Sequence, residues 1–143
     1  SEGLIEAYIH QGSRLGVMVE VNCETDFVAR TGDFQAFAKD IAMHIAASQP
    51  FAVARESVSV DLIEREKGIF VEQAKNEGKP EHIAEKIVEG RLEKYFQENC
   101  LLEQPFVKNP DQTISELITE LTAKIGEKIS VRRFERFILG DDA

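Results

Sequence analysis

The sequence predicts an α+β fold: a three-stranded antiparallel sheet packed with helices, plus a projecting antiparallel helical hairpin. Three patterns carry that expectation. Val17, Val19, Val21 and Cys23 alternate with Met18, Glu20 and Asn22, the period of a strand with one buried face. Phe34, Phe37, Ala38, Ile41, Ala42 and Ile45 recur at steps of three and four, the spacing of a helix against a core. Two charge-dense helical stretches flank Gly78-Lys79-Pro80. The 143 residues, 43% of them hydrophobic, suffice for one domain with its own core, and 1–143 is read as a single unit.

Taken in order, Leu4 to His10 is a short, partly apolar strand, and Gln11-Gly12-Ser13 has turn chemistry. The strand that follows ends at Asn22-Cys23-Glu24. Thr25 or Asp26 can cap the next element, since either side-chain oxygen can accept an unpaired backbone N–H. Phe27-Val28-Ala29 reads as a brief apolar turn, and Thr31-Gly32-Asp33 caps the core helix, which stops before Gln49-Pro50. The helical hairpin is expected at about 61–99. Its narrow apolar stripes (Ile63, Ile69, Phe70 and Ala74, then Ile83, Ile87, Val88, Leu92, Tyr95 and Phe96) suit helices that pack mainly on each other. Leu101 to Phe106 is an apolar loop, and Asn109-Pro110-Asp111 a turn. Thr113 starts a helix striped by Ile114, Leu117, Ile118, Leu121 and Ile125 and ended by Gly126. A strand over about Ile129 to Leu139 completes the sheet.

Composition narrows the partners. The formal charge is −9, so the surface repels phosphate backbones and no direct nucleic-acid contact is expected. No apolar run approaches the ~20 residues that span a bilayer, so no membrane partner is expected either. Two cysteines are too few for a disulfide framework and fit a reducing compartment. The chain opens Ser1-Glu2-Gly3 rather than with Met, which reads as a processed product or a piece of a longer chain.

Catalytic signatures are weak. Phosphate-binding glycine loops and the HExxH zinc motif do not occur. His10, His44 and His82 fall on different elements, and His44 reads as a satisfied structural histidine. Cys23 has no cationic neighbour in sequence and reads as a buried structural thiol. Glu24 and Asp26 could serve acid–base or metal chemistry only if they converged, with His10 as a third group in a metal-dependent hydrolase. No metal and no cofactor are expected. From the residues alone, Thr25-Asp26-Phe27 is most simply a helix cap with Phe27 stapled into the core.

The stretch Val21-Asn22-Cys23-Glu24-Thr25-Asp26-Phe27-Val28-Ala29-Arg30 resembles the signature of the elongation factor Ts family. Further matches follow in order: Tyr8-Ile9-His10 before it, then Ala42-Met43-His44-Ile45-Ala46-Ala47, Glu77-Gly78-Lys79-Pro80, Val88-Glu89-Gly90-Arg91, Glu103-Gln104-Pro105-Phe106, Lys124-Ile125-Gly126-Glu127-Lys128-Ile129 and Arg132-Arg133-Phe134. The resemblance runs from about Glu2 to Gly140. It departs from the family in two ways. The usual N-terminal module, related to ubiquitin-associated domains, has no counterpart here. Longer members carry two copies of the sheet-and-helix core, whereas this chain is similar to the short, single-core members of some bacteria, cyanobacteria and plastids.

The resemblance implies a nucleotide-exchange factor, not an enzyme, that binds elongation factor Tu in its GDP form, in a bacterial cytoplasm or plastid stroma. It implies that Thr25, Asp26, Phe27 and Val28 enter a groove of Tu beside its Mg²⁺ site, with Phe27 as the wedge and Val28 extending the apolar contact. It assigns His10, Gly12 and Gly16 to a second contact. It also implies a homodimer that supplies the missing core copy. A related short form is bridged by a cysteine where this chain has Glu135, so any dimer here is non-covalent. The alternative is a ribosome-associated or Tu-binding module cut from a larger protein, without efficient exchange of its own.

Overall fold

The computed structural model describes residues 1–141. Strand β1 (Glu2–Ile9) turns back into β2 (Leu15–Cys23), and the last strand, β5 (Ser130–Ile138), lies on the other side of β2. All pairings are antiparallel, with Glu2 opposite Cys23 and Ile9 opposite Gly16 on one edge, and Gly16 opposite Phe137 on the other. The register with β5 shifts between Glu20 and Val21, a local irregularity that bends a strand and adds twist. The strand pairing expected from alternation is present, and β1 begins two residues earlier than its apolar run suggests.

Alternation decides what the sheet covers. Val17, Val19, Val21 and Cys23 turn their side chains to one face and are buried. Helix α2 (Gly32–Ser48) lies on that face, capped by the Thr31 hydroxyl, which accepts from the Phe34 N–H. It buries Phe34, Phe37, Ala38, Ile41, Ala42, His44, Ile45 and Ala46 against the valines. Between β2 and α2 sits the four-residue helix α1 (Asp26–Ala29), where the sequence suggested only a turn. Helix α5 (Ile114–Ile125) closes the core from the side and carries a full capping box: the Glu116 N–H donates to Thr113 Oγ1 and the Thr113 N–H to Glu116 Oε1.

The helical hairpin is α3 (Val60–Asn76) and α4 (Glu81–Asn99). Its turn closes as a Schellman motif. The Gly78 N–H reaches the Lys75 carbonyl and the Lys79 N–H the Ala74 carbonyl, and Gly78 takes φ 70°, which its lack of a Cβ permits. Pro80 precedes α4 as its N-cap residue. Along the hairpin only Ala74 and Val88 are buried, and Ile69 and Ile83, read as part of the apolar stripes, are exposed. At its root Arg55 donates to both carboxylate oxygens of Glu93 and to Glu103, and its guanidinium lies 4.7 Å from the Phe96 ring centre. These bonds to carboxylates hold its pKa above the ordinary arginine value.

Two expectations need correction. The stretch from Pro105 to Thr113 is a small hairpin, β3 (Pro105–Phe106) with β4 (Asn109–Thr113), rather than a loop and a turn. The outer face of the main sheet, expected to be mostly polar, exposes Ile5, Ile9, Met18 and Phe137. Period-two alternation within one strand cannot reveal what its neighbours add to the same face.

Candidate functional site

The chain leaves β2 at Cys23 and must turn sharply to start α1. Thr25 is extended (φ −128°, ψ 150°), and its hydroxyl accepts the Val28 N–H at 3.2 Å, so Thr25, not Asp26, is the cap. Its carbonyl accepts the Ala29 N–H and the Cys23 thiol, each at 3.2 Å. Burial raises the pKa of that thiol, in keeping with a structural role. Asp26 instead pairs with Arg30 one turn on, at 2.9 Å between exposed side chains, a pair that contributes little to stability.

One turn of helix splits Phe27 from Val28. Val28 and Ala29 point inward and join the core, whereas Phe27 is 75% exposed, the most of any large apolar side chain among the described residues. The staple reading of Phe27 is therefore wrong: α1 directs the valine, not the phenylalanine, at the sheet. Val28, which the resemblance gave to the partner contact, is 6% exposed in the free chain and supports the turn from beneath.

A second clamp comes from far along the chain. Glu127 Oε1 accepts the backbone N–H groups of Glu24 (3.1 Å) and Thr25 (3.0 Å), and its Oε2 accepts the Thr25 hydroxyl at 2.7 Å. Glu24 answers by accepting the Lys128 N–H at 2.6 Å. Sequence reading missed this exchange. Its only local signal was Gly126, whose φ of 82° ends α5 and turns Glu127 back toward the β2 exit.

His10, Gly12 and Gly16 lie at the other end of the sheet. The tip over residues 10–14 is closed by the His10 N–H to the Leu15 carbonyl and the Ser13 N–H to the His10 carbonyl. Gly12 there has φ 96°, a value that glycine adopts readily. His10 Nδ1 lies 2.9 Å from the Tyr8 hydroxyl. A Cβ on Gly16 would come within 2.9 Å of Ile9 Cδ1, so the glycine lets Ile9 lie flat across the sheet. The nine residues of β2, at about 3.3 Å each, separate this tip from Thr25 by roughly 30 Å. The predicted residues thus form two patches. His10 is too far from Glu24 and Asp26 to share a metal, and those two carboxylates engage different partners, Lys128 and Arg30. His44 is buried in the core: its Nδ1 accepts the Val107 N–H at 3.2 Å, so Nε2 carries the proton and donates to Gln104 Oε1 at 2.9 Å.

Comparison with known proteins bears on this pair of patches. A family model described as Elongation factor TS matches residues 1–121. Proteins named Elongation factor Ts align over 141 residues, 99% of this chain: that of Heliobacterium modesticaldum at 65% identity and that of Carboxydothermus hydrogenoformans at 62%. A third, from Desulforamulus reducens, is 60% identical over the same length. The chain belongs to the elongation factor Ts family. It spans 66%, 65% and 65% of those three relatives, just under two thirds of their length. Both patches fall inside residues 1–121, whereas Glu127 and β5 lie beyond the family-model match but within the aligned relatives.

Proposed function

We propose that this chain is a translation elongation factor that binds GDP-bound elongation factor Tu and promotes release of GDP. The observation that carries the reading is Phe27: a large aromatic side chain held in solvent on a turn that is pinned from both sides, within a chain of the elongation factor Ts family. An exposed aromatic on a rigid support is the kind of anchor that dominates an interface once a partner buries it. The turn acts by binding the GTPase in a conformation that holds nucleotide poorly. The coupling is reciprocal, so the factor weakens GDP by the same free energy with which GDP weakens the factor. No bond is made or broken, and no metal or cofactor of the chain's own takes part. The His10–Gly12 tip is a second contact on the same partner. The place of action is a bacterial cytoplasm or a plastid stroma, a reading that rests on the family and its bacterial relatives. Among the described residues no helix is long and apolar enough to cross a membrane.

Fluorescent GDP preloaded on Tu tests this directly: the chain should speed its release in a concentration-dependent, saturable way. Unchanged release with measurable binding would leave a Tu-binding module that does not exchange nucleotide.

The outer sheet face supports a second reading, a non-covalent homodimer. Antiparallel sheets that face water usually turn polar residues to it. Here Ile5, Ile9, Met18 and Phe137 are exposed together, Phe137 at 71%. Beside them the charge of Glu20 is paired within the sheet by Arg132 and Arg133. Asn22 Nδ2 and Arg133 Nε donate to it, and these two bonds, the Asn22 one foremost, lower its pKa. A two-fold axis would set this patch against its own copy. Sedimentation equilibrium over a hundredfold range of concentration should show a mass rising above 16.1 kDa, and Phe137→Ser should hold it there.

A further inference from the structure

We infer that Glu127 is the positioning residue of the Phe27 turn, the group that fixes its shape before any partner arrives; the inference rests on the exchange-factor reading above. A turn carrying an exposed aromatic gains nothing from burying that ring in its own core, so something else must order it. Phe27, 75% exposed, adds little packing of its own, and the Asp26–Arg30 pair lies on the surface, where screening leaves it weak. Val28 and Ala29 anchor the turn from beneath; on its exposed side what remains is the Thr25 cap and the carboxylate of Glu127.

That carboxylate is used with little waste. Its two oxygens take three donors: two successive backbone N–H groups and the hydroxyl of the capping residue. Bonds to an ionised acceptor are the stronger kind. The Thr25 hydroxyl, donating its hydrogen bond to Glu127, turns a lone pair to the Val28 N–H. The two bonds therefore form a chain that polarises each link and sets both the direction of α1 and the direction in which Phe27 leaves it. The return bond from the Lys128 N–H to Glu24 locks the carrier of the clamp to the turn it holds. The clamp holds groups that lie at the surface, since Glu24 and Thr25 are exposed. Its effect falls on a loop whose ordering would otherwise be charged against binding.

A positioning role differs from a structural one in what its loss changes. Three variants, Glu127→Ala, Glu127→Gln and Glu127→Asp, are compared with wild type by thermal unfolding, by amide hydrogen exchange, and by release of fluorescent GDP from Tu over a range of factor concentrations. For Glu127→Ala, exchange of the Glu24 and Thr25 amides should rise at least tenfold while the melting transition stays cooperative. The concentration giving half-maximal GDP release should rise about tenfold, with the maximal rate nearly unchanged, because the turn still reaches its bound shape once docked. Glu127→Gln keeps the two backbone bonds through its amide oxygen and should recover most of the loss. Unchanged amide protection in Glu127→Ala, or an unchanged half-maximal concentration beside an active wild type, overturns the inference. Loss of maximal rate at full protection overturns it too, since Glu127 would then touch the partner itself. A wild type that never accelerates GDP release overturns the exchange reading instead, while the amide data still judge the clamp.

Discussion

Two helices of equal length divide the labour of this molecule. Helices α2 and α3 each have 17 residues, yet α2 buries eight of them and α3 buries only Ala74. Helix α2 spends its apolar spacing against a sheet that supplies the other half of a core. Helix α3 leans along most of its length on α4, with only Leu62 and Ile63 at its start packed on the small cluster of Ala52, Val58 and Cys100, and both helices cover themselves with charge. Where helical stability comes chiefly from tertiary burial, the first region is the part that must fold and the second is a part that depends on it. The same division recurs in miniature around the site. Phe34 and Phe27 sit one helix apart; the first is fully buried and the second is the most exposed large apolar side chain described.

The largest effect should come from emptying the well-buried region. Ile41→Ala removes a side chain with no solvent exposure and should cost about 2–5 kcal/mol in chemical denaturation. Ile69→Ala, on the exposed side of α3, should cost under about 0.5 kcal/mol. Removing the distal hairpin over residues 70–90 and closing it with a short glycine-rich turn should lower the helical circular dichroism signal and leave one cooperative transition. If that deletion abolishes cooperative melting, the hairpin is part of the core and the comparison fails.

Phe27→Ala sharpens the comparison at the site. Binding to Tu should weaken by at least about 2 kcal/mol, as for a truncated anchor, while thermal stability stays within about 0.5 kcal/mol of wild type. Phe34→Ala should do the reverse, losing about 3–5 kcal/mol of stability. A large drop in melting temperature for Phe27→Ala, with exchange intact in the folded fraction, would put its ring in the core in solution.

How much of this was legible beforehand follows from how far each interaction reaches along the chain. The three strands of the main sheet, α2, the hairpin and the caps at Thr25, Thr31 and Thr113 depend on neighbours within a few residues, and local pattern exposes them, whereas β3 and β4 carry no such pattern. The opposite orientations of Phe27 and Val28 depend on the exact phase of a four-residue helix, too short to have a period. The Glu127 clamp joins residues more than a hundred positions apart, and a local window marks the stretch around Glu127 as family-like without telling which residues it reaches. The apolar outer face needs three strands in register before Ile9, Gly16 and Phe137 become one row.

A smaller effect should appear with acid, and it separates the buried imidazole of the core from the carboxylates by pH. Burial lowers the pKa of His44 below the ordinary imidazole value of about 6.5, against a weaker opposing pull from its Gln104 bond. Below that value the unfolded chain binds more protons than the folded one. The stability held by neutral His44 is therefore complete above about pH 6.5 and declines as the pH falls. The carboxylates with lowered pKa, Glu20, Glu93 and Glu116, lose their contributions only below the ordinary carboxylate value of about 4.3. Denaturation at about pH 7.5, 6.5 and 5.5 should show the decline in wild type and a flatter profile in His44→Gln. Equal slopes in the two proteins would mean that the imidazole is not what acid attacks in this range.

The smallest effect is also the most diagnostic, because it applies one chemical change to both regions. Ser59 caps α3 through the Leu62 N–H at 3.2 Å, and Thr113 caps α5 through the Glu116 N–H at 3.1 Å. Replacing either by alanine removes one cap, worth about 1 kcal/mol to its own helix. Helix α5 packs Ile114, Leu117, Ile118, Leu121 and Ile125 on the core, so its loss must be shared by the whole folded unit, and Thr113→Ala should shift the global transition. Helix α3 can fray without opening the sheet, so Ser59→Ala should raise amide exchange at the start of α3, around Leu62, and leave the global transition in place. Equal global shifts from both caps would show that the hairpin and the core unfold as one, whatever their difference in burial.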